Sequence, residues 1–262
     1  MNPGENFITG FFAGFRDMTE GLGLITEPGL RRHAILPLLL SVIVFVVLLI
    51  VAIYYFGGLV GWVDGHLPAW LAWASWLLWI GLVAAWIFGF YFCFTVVVGI
   101  IGLPFFMALT NAVERRMTGR LPDTHRDMLY LTWIGFWRQF PRLGHLFVWL
   151  IVVCLISLVL FFIPLVNVLI APLWFLFGAW AFAVMMSDFP LGARDLPWRE
   201  QHALIRHARG RIFGFGIAAS CMALVPVLNL FLLPATTAGI TVLWVEVLEP
   251  DTLIERAHNL AA

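Results

Sequence analysis

Four long runs without a charged side chain constrain this chain more than any other feature. They cover residues 33–63, 65–113, 143–187 and 212–245, and single charges bound them: Arg32, Asp64, Glu114, Arg142, Asp188, Arg211 and Glu246. A helix needs about 20 apolar residues to cross a hydrocarbon core about 30 Å thick. Each run is longer than that. Charged residues make up 11% of the chain, where a soluble domain carries about 25%. The sequence therefore predicts an all-α integral membrane protein forming a single membrane domain over 1–262. The first run predicts one long spanning helix over 28–63. The second predicts another over 68–101, joined to the first by "VDGHLP" at 63–68. "GLP" at 102–104 predicts a break, and an arginine-rich helical region follows over 105–142.

The last two runs carry a repeated interruption. "IPLVNVLIAP" at 163–172 and "VPVLNLFLLP" at 225–234 both contain Pro-x-x-Asn-x-x-x-x-Pro. The residues are Pro164, Asn167 and Pro172, then Pro226, Asn229 and Pro234. Proline removes a backbone donor and clashes with the preceding turn, so a helix should stop at each first proline. The arms left over are short: 212–225 would extend about 21 Å and 235–246 about 18 Å, at about 1.5 Å per residue. Arm 145–163 is longer and could cross alone. Irregular backbone at membrane depth survives where protein or a water-filled cavity satisfies it. The two runs thus read as broken helical hairpins that penetrate partly, over 143–187 and 212–246. Paired interruptions of this kind point to a transport site. The plainer reading, equally weighted, is that Asn167 and Asn229 cap turns between short spanning helices.

Charge placement gives an orientation. All fifteen basic residues are arginine. This reflects either base composition or a use for bidentate oxyanion donors. Fourteen of the fifteen fall in segments 1–32, 114–142 and 188–211, and Arg256 lies in the tail 247–262. If each hairpin returns to its starting side, every arginine faces the cytoplasm, as the positive-inside rule expects. Segment 188–211 is then a cytoplasmic connection and both termini are cytoplasmic. Within 1–27, Phe7, Ile8, Phe11, Phe12, Phe15, Met18 and Leu22 recur at helical spacing, with Arg16, Asp17 and Glu20 elsewhere on the wheel. That pattern suits an amphipathic helix lying in the membrane interface, or one packed on the protein's own cytoplasmic face.

"PGLRR" at 28–32 opens the first long helix. A helix N-terminus carries unpaired N–H groups and a partial positive charge, and so attracts anions. Gly29 allows close approach, and Arg31 and Arg32 add charge-assisted donors. On its own this arrangement is better explained by ordinary arginines flanking a spanning helix on the cytoplasmic side. A second cluster, "NAVERRMTGR" at 111–120, carries Glu114, Arg115, Arg116 and Arg120. It reads as a charge network or as a solvated cytoplasmic face.

With those residues in view, the chain resembles the CysZ family of bacterial sulfate transporters over nearly its whole length. The likeness lies in "PGLRRHAILPLLL" at 28–40, "WLAWASWLLW" at 70–79, "LPFF" at 103–106 and "ERRMTG" at 114–119. It continues in "APLWFLFGAWAFAV" at 171–184, "SDFPL" at 187–191 and "VPVLNLFLLPATTAG" at 225–239. The resemblance implies sulfate uptake across the bacterial inner membrane in support of cysteine synthesis, with two long spanning helices, partly penetrating hairpins and a homo-oligomeric assembly. It also implies that Gly29, Leu30 and Arg31, with Arg32 next, bind sulfate and possibly sulfite. It associates Glu114 and Arg116 with a pore network, which would be thinner here because residue 111 is Asn.

Other chemistry is not signalled. The histidines lack metal-ligand spacing, and Asp123, His125 and Asp127 read better as a capped loop than as a cation site. Cys93, Cys154 and Cys221 form neither a disulfide framework nor a metal site. Neither "GLG" at 21–23 nor "GFG" at 214–216 has the rest of a nucleotide fingerprint. No cofactor, metal or nucleic-acid partner is expected, and an enzyme is disfavoured. The remaining alternative to transport is a structural or stress-related membrane protein. Moving a doubly charged anion into a cell costs about 4.6 kcal/mol per 100 mV of inside-negative potential. Uptake therefore needs a proton or cation, or rapid consumption within. The four runs hold no Asp or Glu, which favours a channel-like route, with Glu114 or His145 left as rim groups for coupling.

Overall fold

A computed structural model of the chain describes residues 6–66, 75–119, 128–194 and 196–248. Among these, every regular element is helical: α1 (Phe7–Leu24), α2 (Pro28–His66), α3 (Ser75–Thr118), α4 (Met128–Phe161), a 3₁₀ turn (Val166–Leu169), α5 (Ile170–Met186), α6 (Asp188–Ala193), α7 (Trp198–His207), α8 (Arg209–Ala223), α9 (Pro226–Asn229) and α10 (Leu232–Val247). Four stretches are long and apolar enough to cross a membrane: Pro28–Val63, Trp76–Val98, Gln139–Phe161 and Val166–Gly192. The protein is a multi-pass membrane protein. Arg120, the sequence 123–127, the end of the 63–68 connection and the tail from 249 lie outside the described residues.

Two compact units make up the fold. The smaller, Ile35–Phe105, holds the apolar bodies of α2 and α3. These helices are apolar on every side, the pattern of a helix surrounded by hydrocarbon. Ile53 is 67% exposed and Phe88 71%, a surface that water would not tolerate. The contacts that exist are aromatic: Phe45 meets Phe90 and Phe94 edge-on at 5.7 and 5.5 Å, and Phe56 meets Trp86 at 5.6 Å.

The predicted break at 102–104 is not there. Helix α3 runs through Pro104, as α2 runs through Pro37 and α4 through Pro141. A proline inside a helix costs one hydrogen bond, but within an apolar stretch only continued helix satisfies the neighbouring peptide groups. At the two repeated interruptions the outcome differs, because the prolines come in pairs. Helix α4 ends at Phe161, Leu165 takes a left-handed conformation with φ 67°, and Pro172 sits in the first turn of α5. Helix α8 ends at Ala223, Pro226 opens α9, and Pro234 sits in the first turn of α10. First-turn proline loses nothing, since its N–H would have no partner. Each pair therefore marks a stop and a restart. Length does not restrict the α4–α5 hairpin to partial penetration. Helices α8 and α10, at 15 and 16 residues, reach only about 22–24 Å.

The larger unit comprises residues up to Ala34 and from Phe106 onwards. At its centre α10 is buried continuously from Pro234 to Trp244, against Ile212, Phe215 and Ala219 of α8. Helix α1 is held to α8 and α10 along one glycine-bearing face: Gly10, Gly14, Asp17, Met18 and Gly21 are all buried. Backbones touch there. A Cβ on Gly14 would overlap the Arg211 carbonyl, and one on Gly214 would overlap the Phe11 carbonyl. Against lipid tails apolar burial drives no helix association, so close backbone packing and polar bonds must supply it. The polar bonds lie beside this contact. Asp17, wholly buried, takes both prongs of Arg211 (Nε–Oδ2 2.5 Å, Nη2–Oδ1 2.8 Å). Arg211 also holds Glu246, which Arg16 reaches at 2.6 Å. Burial works against the charge on Arg211, but its bonds to Asp17 and Glu246 outweigh that and raise its pKa. The opposite face of α1 leaves Phe7, Ile8, Phe12 and Phe15 exposed.

This cluster should decide stability. Removing one member of a buried ion pair costs about 3–5 kcal/mol, and an exposed pair is worth about 0–1. Asp17→Ala should therefore lower the melting temperature of the detergent-solubilised protein sharply. Arg16→Gln, which removes a side chain that is 59% exposed, should change it little. Thermal unfolding followed by circular dichroism checks both.

Candidate functional site

The start of α2 combines an anchored apolar residue with unpaired cations. Leu30 is buried in the core of the larger unit with Ala34, Leu109 and Val113. That anchor fixes the first turn and turns Gly29, Arg31 and Arg32 outward, all three exposed. Nothing would meet a side chain at Gly29 within 4 Å, so the backbone is open to a ligand. Among the described residues neither Arg31 nor Arg32 forms an ion pair. The amides are less free than the sequence suggests. Leu30 and Arg31 both donate their main-chain N–H to the Glu27 carbonyl, at 3.0 and 2.8 Å. The first turn therefore offers the Gly29 N–H and two guanidinium groups.

Among the described residues, the second cluster forms no ion pair within itself. Adjacent residues on a helix point in different directions, and the partners come from elsewhere. Arg116 donates to the Glu27 carboxylate at 3.3 Å, which brings the end of α3 beside the start of α2. Glu114 turns inward and pairs with Arg194 at 2.6 Å, and Arg194 also donates to the Pro190 carbonyl. Arg115 is exposed and makes no ion pair among the described residues. The chain leaves the helix at Gly119, whose φ of 70° is the left-handed stop that glycine permits.

Among the described residues, several buried acceptors close in sequence to these cations find no partner. Glu114 is 7% exposed, and its second oxygen, Oε2, finds no hydrogen bond; nor do Thr110 Oγ1 and Asn111 Oδ1 on the preceding turn, or His33 Nδ1 near the start of α2. Buried polar groups are almost always satisfied, so an unpaired oxygen beside a carboxyl marks a place for a proton. Burial pushes the Glu114 carboxyl up from its ordinary range, against the pull of Arg194.

The repeated breaks close through the main chain alone. Asn167 N–H donates to the Ile163 carbonyl at 3.2 Å, and Asn229 N–H to the Val225 carbonyl at 2.8 Å. Neither short helix there is capped by a side chain. Both asparagine side chains are exposed and make no hydrogen bond among the described residues. The capping role weighed for them is therefore not observed.

Three features went unread in the sequence. The Asp17–Arg211–Glu246 cluster joins residues 194 and 35 positions apart; its only trace is an acid at helical spacing from Gly10, Gly14 and Gly21. Arg194 as the partner of Glu114 leaves no local trace. The third is a network at the foot of α4. Arg142, 1% exposed, donates to Asp188 of α6 and Gln201 of α7, both at 2.5 Å, while Gln139 donates to Asp188 at 2.7 Å. This network ties the arginine-rich connection to the first hairpin.

Comparison with known proteins places the chain. The profile of the EI24 family, described as "Sulfate transporter CysZ/Etoposide-induced protein 2.4", matches residues 17–234. The sulfate transporter CysZ of Pseudomonas syringae pv. tomato is 33% identical over 242 residues, covering 90% of this chain and 93% of that protein. The sulfate transporter CysZ of Pseudomonas aeruginosa is 35% identical over 86% of this chain and 92% of that protein. The corresponding Salmonella paratyphi A protein is 34% identical over 87% and 90%. With span-length helices, and with the match running through both α2 and the two hairpins, this chain belongs to the CysZ/EI24 family.

Proposed function

We propose that the protein carries sulfate across the bacterial inner membrane, with a sulfate-binding site at the cations of the α2 first turn. One observation carries the site: Arg31 and Arg32 stand exposed, without an ion pair among the described residues, beside an open glycine at the start of a span-length helix. Guanidinium groups match the edges of a tetrahedral oxyanion bidentately, and Leu30, locked in the core, keeps them in place. The named relatives above, all sulfate transporters, supply the substrate; sulfite, a smaller sulfur oxyanion, is the natural competitor. The arginines put this end of α2 on the cytoplasmic side. The site then receives sulfate as it leaves the bilayer, or releases it to the cell. The exposed Phe7, Ile8, Phe12 and Phe15 suit α1 to the lipid interface. The unused amides of Asn167 and Asn229 suit the hairpin breaks to a polar path, or to a neighbouring copy in a homo-oligomer.

Glu114 is the group best placed to link sulfate to protons. It lies outside the span-length stretch of α3, is buried, and has one oxygen on Arg194 and one free. Its raised pKa gives the sign. In the window from the ordinary value of 4.5 upward, the native protein keeps a proton that the unfolded chain has released. Stability from this group falls as pH rises through that window, and a protonated Glu114 frees Arg194 to face an anion.

Two outcomes follow for uptake of radiolabelled sulfate into proteoliposomes. Arg31→Ala with Arg32→Ala should cut uptake at least tenfold, while leaving the melting temperature nearly unchanged. Uptake equal to wild type would remove the site. Wild-type uptake should also rise as outside pH is lowered through the range above 4.5. Glu114→Gln, fixed in the neutral form, should flatten that profile; an unaltered profile would exclude Glu114 from coupling.

A further inference from the structure

The larger unit contains a cavity of about 620 Å³ that the sulfate reading does not use. Helices α4, α5, α7 and α8 build it. Trp149 of α4 and Trp180 of α5 form one wall, 5.9 Å apart and edge-on. Trp198 of α7 faces them, stacked on His202 at 5.5 Å and held from behind by the Arg142 guanidinium, 5.4 Å from its ring. His145 lies in the middle, 4.6 Å from His202, 5.7 Å from Trp198 and 6.0 Å from Trp180. Arg206 and Arg209, either side of the α7–α8 junction, complete the lining. Both are exposed, and neither forms an ion pair among the described residues. Every ionisable group in the lining is basic. Burial, then His145 and Arg206, hold the pKa of His202 down, and the two arginines are the lasting positive charges of the cavity.

Arginines without an ion pair among the described residues suit a cavity to an anion, and the walls point to its kind. A bare sulfate or phosphate displaces only a few waters, at about 30 Å³ each. This cavity has the volume of a site for a larger organic molecule. Trp149 lies about two turns inside Arg142, and Trp180 about two turns inside Asp188, the charges that close the apolar run 143–187 at both ends. These are the two ends of one hairpin that lie on the arginine-bearing side. The tryptophans then sit about 10 Å below those charges, the depth of the upper acyl chains, with the basic side chains at headgroup level. Basic pockets between spanning helices at such an interface take anionic lipid headgroups.

We infer that this cavity binds the phosphate of an anionic phospholipid, with Arg206 and Arg209 on the oxyanion, the imidazole N–H groups of His145 and His202 beside it, and the glycerol and upper acyl chains along Trp149 and Trp180. The site is separate from the α2 first turn and stands or falls independently of sulfate transport. An occupant here would brace the α4–α5 hairpin against α7 and α8, through the elements that Arg142 already links.

Native mass spectrometry of the purified full-length protein tests this, with dioleoyl-phosphatidylglycerol and dioleoyl-phosphatidylcholine as probes. Wild type should retain phosphatidylglycerol in preference to phosphatidylcholine. Arg206→Gln with Arg209→Gln should lose at least tenfold of the phosphatidylglycerol adduct and leave the phosphatidylcholine adduct unchanged. Arg206→Lys with Arg209→Lys, which keeps both charges, should stay within about threefold of wild type. Equal retention by the glutamine pair and wild type overturns the inference. So does loss of both lipids alike, loss from the lysine pair as large as from the glutamine pair, or displacement of the adduct by millimolar inorganic phosphate, which would make the cavity a site for soluble oxyanions.

Discussion

The ion cluster of Asp17, Arg211 and Glu246 is the interaction on which the larger unit depends. Three helices meet there, and in each the charge sits on a face otherwise made of small or apolar residues. Taking these groups from water is expensive, and the bidentate geometry must return that cost. It does so where the backbones of α1 and α8 are already in contact through Gly14 and Gly214. Shape and charge therefore act at one place. The glycines let the carboxylate come within reach of Arg211, and the ion pair adds to the close backbone contact in holding α1.

From that anchor the functional parts are positioned in steps. Helix α1 fixes the entry to α2 through the short link ending at Glu27. Glu27 accepts Arg116 with its carboxylate and the first-turn amides with its carbonyl. One acid thus sets both the end of α3 and the start of α2. Among the described residues Arg31 and Arg32 form no ion pair, while Glu27 is taken by Arg116 and Glu114 by Arg194. An anion arriving from outside the chain is the partner still wanting.

The sequence made the membrane architecture legible because the signal is physical exclusion: charges cannot lie within hydrocarbon, so their positions mark the ends of the spans. It made the Gly29–Arg32 turn legible because Pro28 and Gly29 announce a helix start. The hairpin stops were legible from paired prolines. The same rule misplaced a break at Pro104, since a single proline within an apolar stretch costs one hydrogen bond while unwinding there would expose several. Partners across the fold were not legible at all. Glu114 was read with its neighbours in sequence, but a helix turns consecutive residues about 100° apart, and the guanidinium that reached it came from position 194. Asp17 read as a polar-face residue because the stripe of glycines, rather than the phenylalanines, was the face that packed.

The central claim is that this fold gives sulfate a path through the bilayer, and it is tested most directly on the wild type alone. Radiolabelled sulfate flux would be measured in oriented proteoliposomes with the membrane potential clamped by potassium and valinomycin. The account predicts flux well above protein-free vesicles, slowed by an inside-negative potential when no pH gradient is present and restored by an inward proton gradient. Flux no greater than that of empty vesicles at any potential, from protein shown to be folded, would contradict it and leave a membrane scaffold in its place.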